Sequence, residues 1–139
     1  MKYLQEKTDK IAYLRGMVRL SKVNGEVAKE EVAYIEAVAK GMGLDEKELA
    51  ELHTLWASES EVKQSFTNKG NAAFFIQEAI QLCSVDGSYD DSEHREVHKI
   101  AEEIGISEAD VVSIENWVAE GIAWRKHGER LVEEISARE

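Results

Sequence analysis

Proline is absent from this sequence, and cysteine occurs once, at Cys83. Without proline no position has a built-in helix breaker. A lone thiol supports neither a disulfide framework nor a two-thiol redox pair within the chain, which weighs against thiol-based reduction of a substrate. Nowhere do ~20 apolar residues run together, the length that a membrane-spanning helix needs. The opening stretch MKYLQEKTDK lacks the apolar core of a signal peptide. These absences predict a soluble, cytoplasmic protein with no direct membrane insertion.

Positive charge is scarce as well. Lysine and arginine number 17 against 28 aspartates and glutamates, a formal net charge of -11. The imbalance is concentrated between Asp86 and Glu115, where ten acidic residues face only Arg95 and Lys99. Such a surface repels nucleic-acid phosphates and favours cations or basic protein partners. Nucleic-acid binding is therefore excluded, and partner proteins that are basic or membrane-associated are expected.

What the chain has in abundance is helix-forming residues, arranged twice. Met17 to Leu52 returns without a gap 62 positions later as Ala79 to Ile114. Identities fall at Leu20/Leu82, Val23/Val85, Gly25/Gly87, Glu31/Glu93, Ala39/Ala101, Gly43/Gly105 and Glu46/Glu108. Ile35/Val97, Val38/Ile100, Met42/Ile104 and Leu44/Ile106 keep their apolar character. This is an internal duplication of a helical unit. It predicts an all-α, compact bundle of about seven helices in one domain over residues 1–139, with copies at about 9–66 and 72–135.

The helix signals can be followed in order. A first helix starts near Thr8 or Asp9 and runs to about Val23, stopped by Asn24-Gly25. A second covers Lys29 to Met42 and ends at Gly43. Asp45 and Glu48 form a capping box for a third that buries Leu49, Leu52 and Trp56. Ser58 caps a short fourth ending near Phe66, and the polar run Thr67 to Asn71 reads as a linker. The fifth, Ala72 to Val85, places Cys83 on the inner face as a small hydrophobe. The sixth runs from Asp90 to Glu103. Ser107 caps a long seventh, whose stripe of Val111, Ile114, Val118 and Ile122 continues towards Leu131 and Ile135. Gly121 and Gly128 are candidate bends there, and Trp117 and Trp124 read as packing anchors.

Two sets of residues offer chemistry. Gly87 to Glu93 keeps the glycine-to-glutamate spacing of the second half of an EF-hand loop, yet Leu82 and Ser84 stand where carboxylates would be needed. A true EF-hand is excluded. The remaining half-loop offers Asp86, Asp90 and Glu93, with Asp91 beside them, to one hard divalent cation. The same residues also serve as helix caps and first-turn acids. The second set is His94 and His98, an i,i+4 pair able to bind zinc or another borderline metal, with Glu102 extending the row. In the repeat they replace Val32 and Glu36, which predicts a half-buried His94 and a surface His98. A metal-dependent enzyme using this pair is the alternative reading. No nucleophile comes with a base motif and no phosphate-cradling loop is present, so the leading expectation is a protein that is not an enzyme.

The repeated Val-Asn/Asp-Gly, the glutamate six residues later, the apolar stripe and the Gly-Leu/Ile before a capped helix resemble the tellurite-resistance TerB-like family. Both VNGEVAKEEVAYIEAVAKGMGLDEKEL and VDGSYDDSEHREVHKIAEEIGISEADV carry the pattern. The resemblance implies a pseudo-symmetric helical bundle and a non-enzymatic component of stress and metal-resistance systems. It also implies a divalent-cation site among the acidic residues after the Asp-Gly turn, here Asp86, Asp90 and Glu93. In the first copy Asn24 and Ala28 replace two of these, which leaves the second copy as the place for chemistry.

Overall fold

The computed structural model describes residues 2–23, 29–57, 64–84 and 89–138. Among them are six helices and no strand: α1 Lys7–Ser21, α2 Lys29–Gly41, α3 Glu46–Ala57, α4 Lys69–Ser84, α5 Asp91–Ile104 and α6 Glu108–Ser136. Helices α1 to α3 form one copy of the repeat and α4 to α6 the other. α1 and α4 lie at the centre: α1 packs on α2, α3, α4 and α5, while α4 packs on α5 and α6.

The duplication is physical as well as textual. Tyr13/Phe75, Leu14/Ile76, Val18/Ile80, Ile35/Val97, Ala39/Ala101 and Leu44/Ile106 are buried in both copies, so each stripe turns the same face inward. Cys83 is buried on α4 as its position on the stripe requires. The helix signals act as local chemistry dictates. Asp45 accepts from the Glu48 amide at 2.8 Å and Glu48 returns the bond to the Asp45 amide at 3.0 Å. Asp90 and Glu93 do the same at 2.8 and 3.1 Å. Ser107 accepts from the Asp110 amide at 3.2 Å. Gly43 and Gly105, 62 apart, adopt φ of +89° and +82°, the left-handed geometry that closes a helix and suits glycine.

Three expectations change. Of the short helix capped by Ser58, residues 58–63 lie outside the described set, and Gln64 to Phe66 are not helical, so the described helices number six rather than seven. The supposed linker is largely helix. α4 begins at Lys69, and Asn68 accepts from the Asn71 amide at 2.8 Å, which turns a polar run into a cap. Trp117 and Trp124, read as packing anchors, are 49% and 78% exposed, because their face of α6 turns away from the bundle. Asp9, in the first turn of α1, is 1% exposed. It accepts from the Thr67 amide at 2.8 Å, the Thr67 hydroxyl and Asn71 Nδ2. The Asn24-Gly25 stop falls outside the described residues. Gly121 and Gly128 both lie within the continuous helix α6.

A partly buried ion triad ties α5 to α1. Arg19 on α1, with 9% of its side chain exposed, lies 2.5 Å from Glu96 Oε1 and 2.7 Å from Glu103 Oε2, both on α5. α5 in turn packs on α6, and between these two helices the chemistry-bearing residues meet.

Candidate metal centre

The i,i+4 spacing brings the His94 and His98 rings together on one face of α5, with 4.1 Å between centroids. The packing of α6 beside α5 supplies the third group, Glu115. His94 Nδ1 lies 2.7 Å and His98 Nε2 3.2 Å from Glu115 Oε2. Tyr89, just before the cap of α5, donates its hydroxyl to the same oxygen at 2.6 Å and sets its ring edge-on to His94, with centroids 5.8 Å apart. A carboxylate can only accept, so each imidazole must present an N–H to it.

The centre is graded in burial. Glu115 and His98 are well covered, with 14% and 19% of their side chains exposed, whereas His94 is 47% exposed and opens it to solvent. Burial alone would raise the Glu115 carboxyl. The hydrogen bonds from Tyr89 and His98, with the charges of His94 and His98, together hold it below the ordinary carboxylate value. Burial, and then the hydrogen bond to Glu115, push the Tyr89 phenol well above the usual tyrosine value. Tyr89 therefore stays a phenol and a donor, while Glu115 stays a carboxylate.

One ligand atom from each of His94, His98 and Glu115 falls within 4.8 Å of the others. Two imidazole nitrogens, one carboxylate oxygen and an open side suit a borderline divalent ion such as zinc, which takes three protein ligands and leaves a fourth position for water. Tyr89, bonded to the same Glu115 oxygen that faces the two histidines, fixes the orientation of that carboxylate.

The sequence residues fare differently. Asp90 and Glu93 are near neighbours, and each commits an oxygen to their mutual capping box. Asp91 is exposed and Asp86 lies outside the described residues. The expected burial of the histidines is reversed: His98 is the more covered because its face of α5 turns towards α6, whereas His94 sits one turn nearer the helix start, at the edge. Glu102, taken as the next member of the row, is exposed on α5, and the carboxylate comes from α6 instead.

Glu115 escapes a reading based on local spacing because it lies 17 residues from His98. The repeat held the signal. Glu36 and His53, the counterparts of His98 and Glu115, also pair, with His53 Nε2 at 2.5 Å from Glu36 Oε1.

The family model described as "Tellurite resistance protein TerB" matches residues 10–116 of the chain. The match takes in the whole centre and ends within α6, just after Glu115. No curated protein and no solved structure matches.

Proposed function

The chain belongs to the tellurite-resistance TerB family, and from that premise we propose that it is a non-enzymatic resistance module that holds one divalent cation between α5 and α6. Its acidic face would meet basic partner proteins. The observation that supports cation binding is the convergence of His94, His98 and Glu115, with three donor atoms mutually within 4.8 Å. The ligands belong to the acidic stretch from Asp86 to Glu115, whose charge would raise the local concentration of cations and of basic protein surfaces alike.

The test is titration of the protein with zinc, manganese, calcium and magnesium, followed by calorimetry and melting temperature, since an ion that binds only the folded state raises it. Zinc is expected to bind one to one, and His98→Ala and Glu115→Gln each to abolish binding. Asp90→Asn with Glu93→Gln tests the half-loop carboxylates separately. If that pair of changes removes the ion while His98→Ala does not, the site belongs to Asp86, Asp90 and Glu93. If no ion alters stability, the cation clause fails and a protein-docking module remains.

The half-exposed His94 favours a second reading, in which a bound ion keeps an exchangeable water and the same three residues serve a metal-dependent hydrolase. It requires that the zinc-loaded protein turn over ester or phosphoester substrates and that Glu115→Gln abolish the turnover.

A further inference from the structure

α6 runs 29 residues, and beyond Ile122 every described residue is exposed. A regular apolar seam runs along its length, from the edge of the core at Ile114 into the exposed part. Ile114, Trp117, Gly121, Trp124, Gly128, Leu131 and Ile135 alternate at spacings of three and four, the heptad pattern of a helix that packs against another helix. Trp124 is 78% and Trp117 49% exposed, although tryptophan usually reaches the surface only where something covers it. A groove of about 420 Å³ opens between them, over Gly121 and beside Gln81 and Ser84 of α4.

Nothing among the described residues accounts for the two glycines of this helix. Neither has a positive φ, and a Cβ built on Gly121 or Gly128 meets nothing within 4 Å among the described residues. Glycine is the poorest helix former after proline, so its use twice in one exposed helix points to a close approach from outside.

We propose that the seam pairs with the seam of a second copy, the two α6 helices running antiparallel so that Trp124 of each enters the groove over Gly121 of the other. Shape selects the direction. A parallel pair would stack glycine on glycine and tryptophan on tryptophan, whereas the reversed copy sets Trp124 over Gly121, Trp117 over Gly128 and Ile114 against Leu131. A surface that complements itself in this way is what a two-fold interface requires.

Charge selects the register. In this alignment the flanking positions pair Glu120 with His127 and Ser113 with Glu134, while Arg125 falls opposite Val118, a residue of the copy's own core, so no like charges meet. A shift of one heptad would oppose Arg125 to Arg125 and Glu120 to Glu134. From Gly121 to Arg138 four basic residues face three acidic ones, so the projecting half escapes the strong negative charge of the body and can approach a copy of itself.

Sedimentation equilibrium of the full chain over a range of concentrations, from about 5 to 500 μM, tests this. The expected result is a reversible shift from 15.7 kDa to twice that mass. Gly121→Leu, which fills the groove while improving helix propensity, and Trp124→Glu, at a position that the fold leaves exposed, should each weaken dimerisation at least tenfold. Circular dichroism should confirm unchanged helix content. A chain that stays monomeric throughout overturns the proposal and leaves the seam to a different protein. A dimer that persists in both variants also overturns it, because the contact then lies elsewhere.

Discussion

Asp9 and Asn71 occupy the same place in the two copies, 62 positions apart, and they bond to each other: Asn71 Nδ2 donates to Asp9 Oδ2 at 2.6 Å. One turn along, the equivalent pair Tyr13 and Phe75 meets edge to face with centroids 5.8 Å apart. An internal two-fold axis therefore passes between α1 and α4. At such an axis a residue faces its own counterpart, and two aspartates there would set carboxylate against carboxylate. The asymmetry resolves the conflict. Asp9 accepts from Thr67 and Asn71, while Asn71 Oδ1 accepts from the Leu4 amide at 3.0 Å and ties the amino-terminal segment to both copies.

Asp9→Ala should destabilise the fold by about 2 kcal/mol, because it leaves the buried Asn71 amide, and with it the Thr67 donors at the rim, without their acceptor. Urea denaturation of the variant beside the parent measures this. A loss below about 0.5 kcal/mol would show that the network contributes little to the join between the copies.

Gly16 of α1 lies directly against the Phe75 ring of α4. A Cβ placed there would lie 2.4 Å from Phe75 Cζ and 2.5 Å from its Cε1, and Phe75 is fully buried, so the ring has nowhere to go. Gly16→Ala is expected to cost about 1–2 kcal/mol even though alanine is the better helix former. Adding Phe75→Leu should make Gly16→Ala neutral or stabilising in that background. The double-mutant cycle reads the contact directly.

The stripes and caps of this fold were legible because they follow from local rules. Asp45, Asp90, Gly43 and Gly105 act only on neighbours within one turn, and the 3.6-residue period of Leu14, Val18, Val97 and Ile100 names the inner face without any knowledge of what lies opposite. The role of Asp9 was not legible, since its partners stand 58 and 62 residues away and an aspartate in a first turn has a sufficient local explanation in the helix dipole. Glu115 was hidden in the same way. The pairing of His94 with His98 can be read from their spacing, but which carboxylate completes the set depends on how α6 lies on α5.

Arg19 predicts how firmly α5 is held. Its counterpart in the second copy is Gln81, and the counterparts of Glu96 and Glu103 are Tyr34 and Gly41, so this contact belongs to one side of the fold only. Arg19→Met would leave two largely covered carboxylates unpaired and should cost about 2–3 kcal/mol. Hydrogen exchange should show α5 amides losing protection more than those of α2. Uniform loss across the helices would argue that Arg19 supports the whole bundle equally.

Alkaline stability follows from two tyrosines. Burial raises the Tyr13 phenol well above its ordinary value, with the charge of Glu78 adding to the effect, and Tyr89 is raised by burial and by Glu115. A phenol whose proton is held more tightly in the folded state stabilises that state fully below the unfolded tyrosine value of about 10, and the contribution is lost as pH rises above it. Melting temperatures between pH 9 and 12 (a window set by about 10 for free tyrosine) should therefore fall. Tyr13→Phe, which copies the residue that the second repeat already uses, should flatten part of the decline and leave stability at neutral pH nearly unchanged.

The bridge from the second to the third helix of each copy is the same interaction written in opposite order, Glu36 to His53 in one and His98 to Glu115 in the other. If the fold asks only for an imidazole opposite a carboxylate, then His98→Glu or Glu115→His alone should each cost about 1 kcal/mol, by placing like groups together, and the double exchange should recover most of it. What separates the copies is the residue one turn earlier, His94 in the second and Val32 in the first. His94→Val should accordingly reduce the centre to a two-donor bridge and abolish zinc binding without loss of stability. Val32→His should give the first copy its own three donors and raise the measured stoichiometry from about one ion to about two. If the stoichiometry does not change, then Tyr89 or the acidic surroundings of the second copy, rather than the count of ligands, decide where an ion is held.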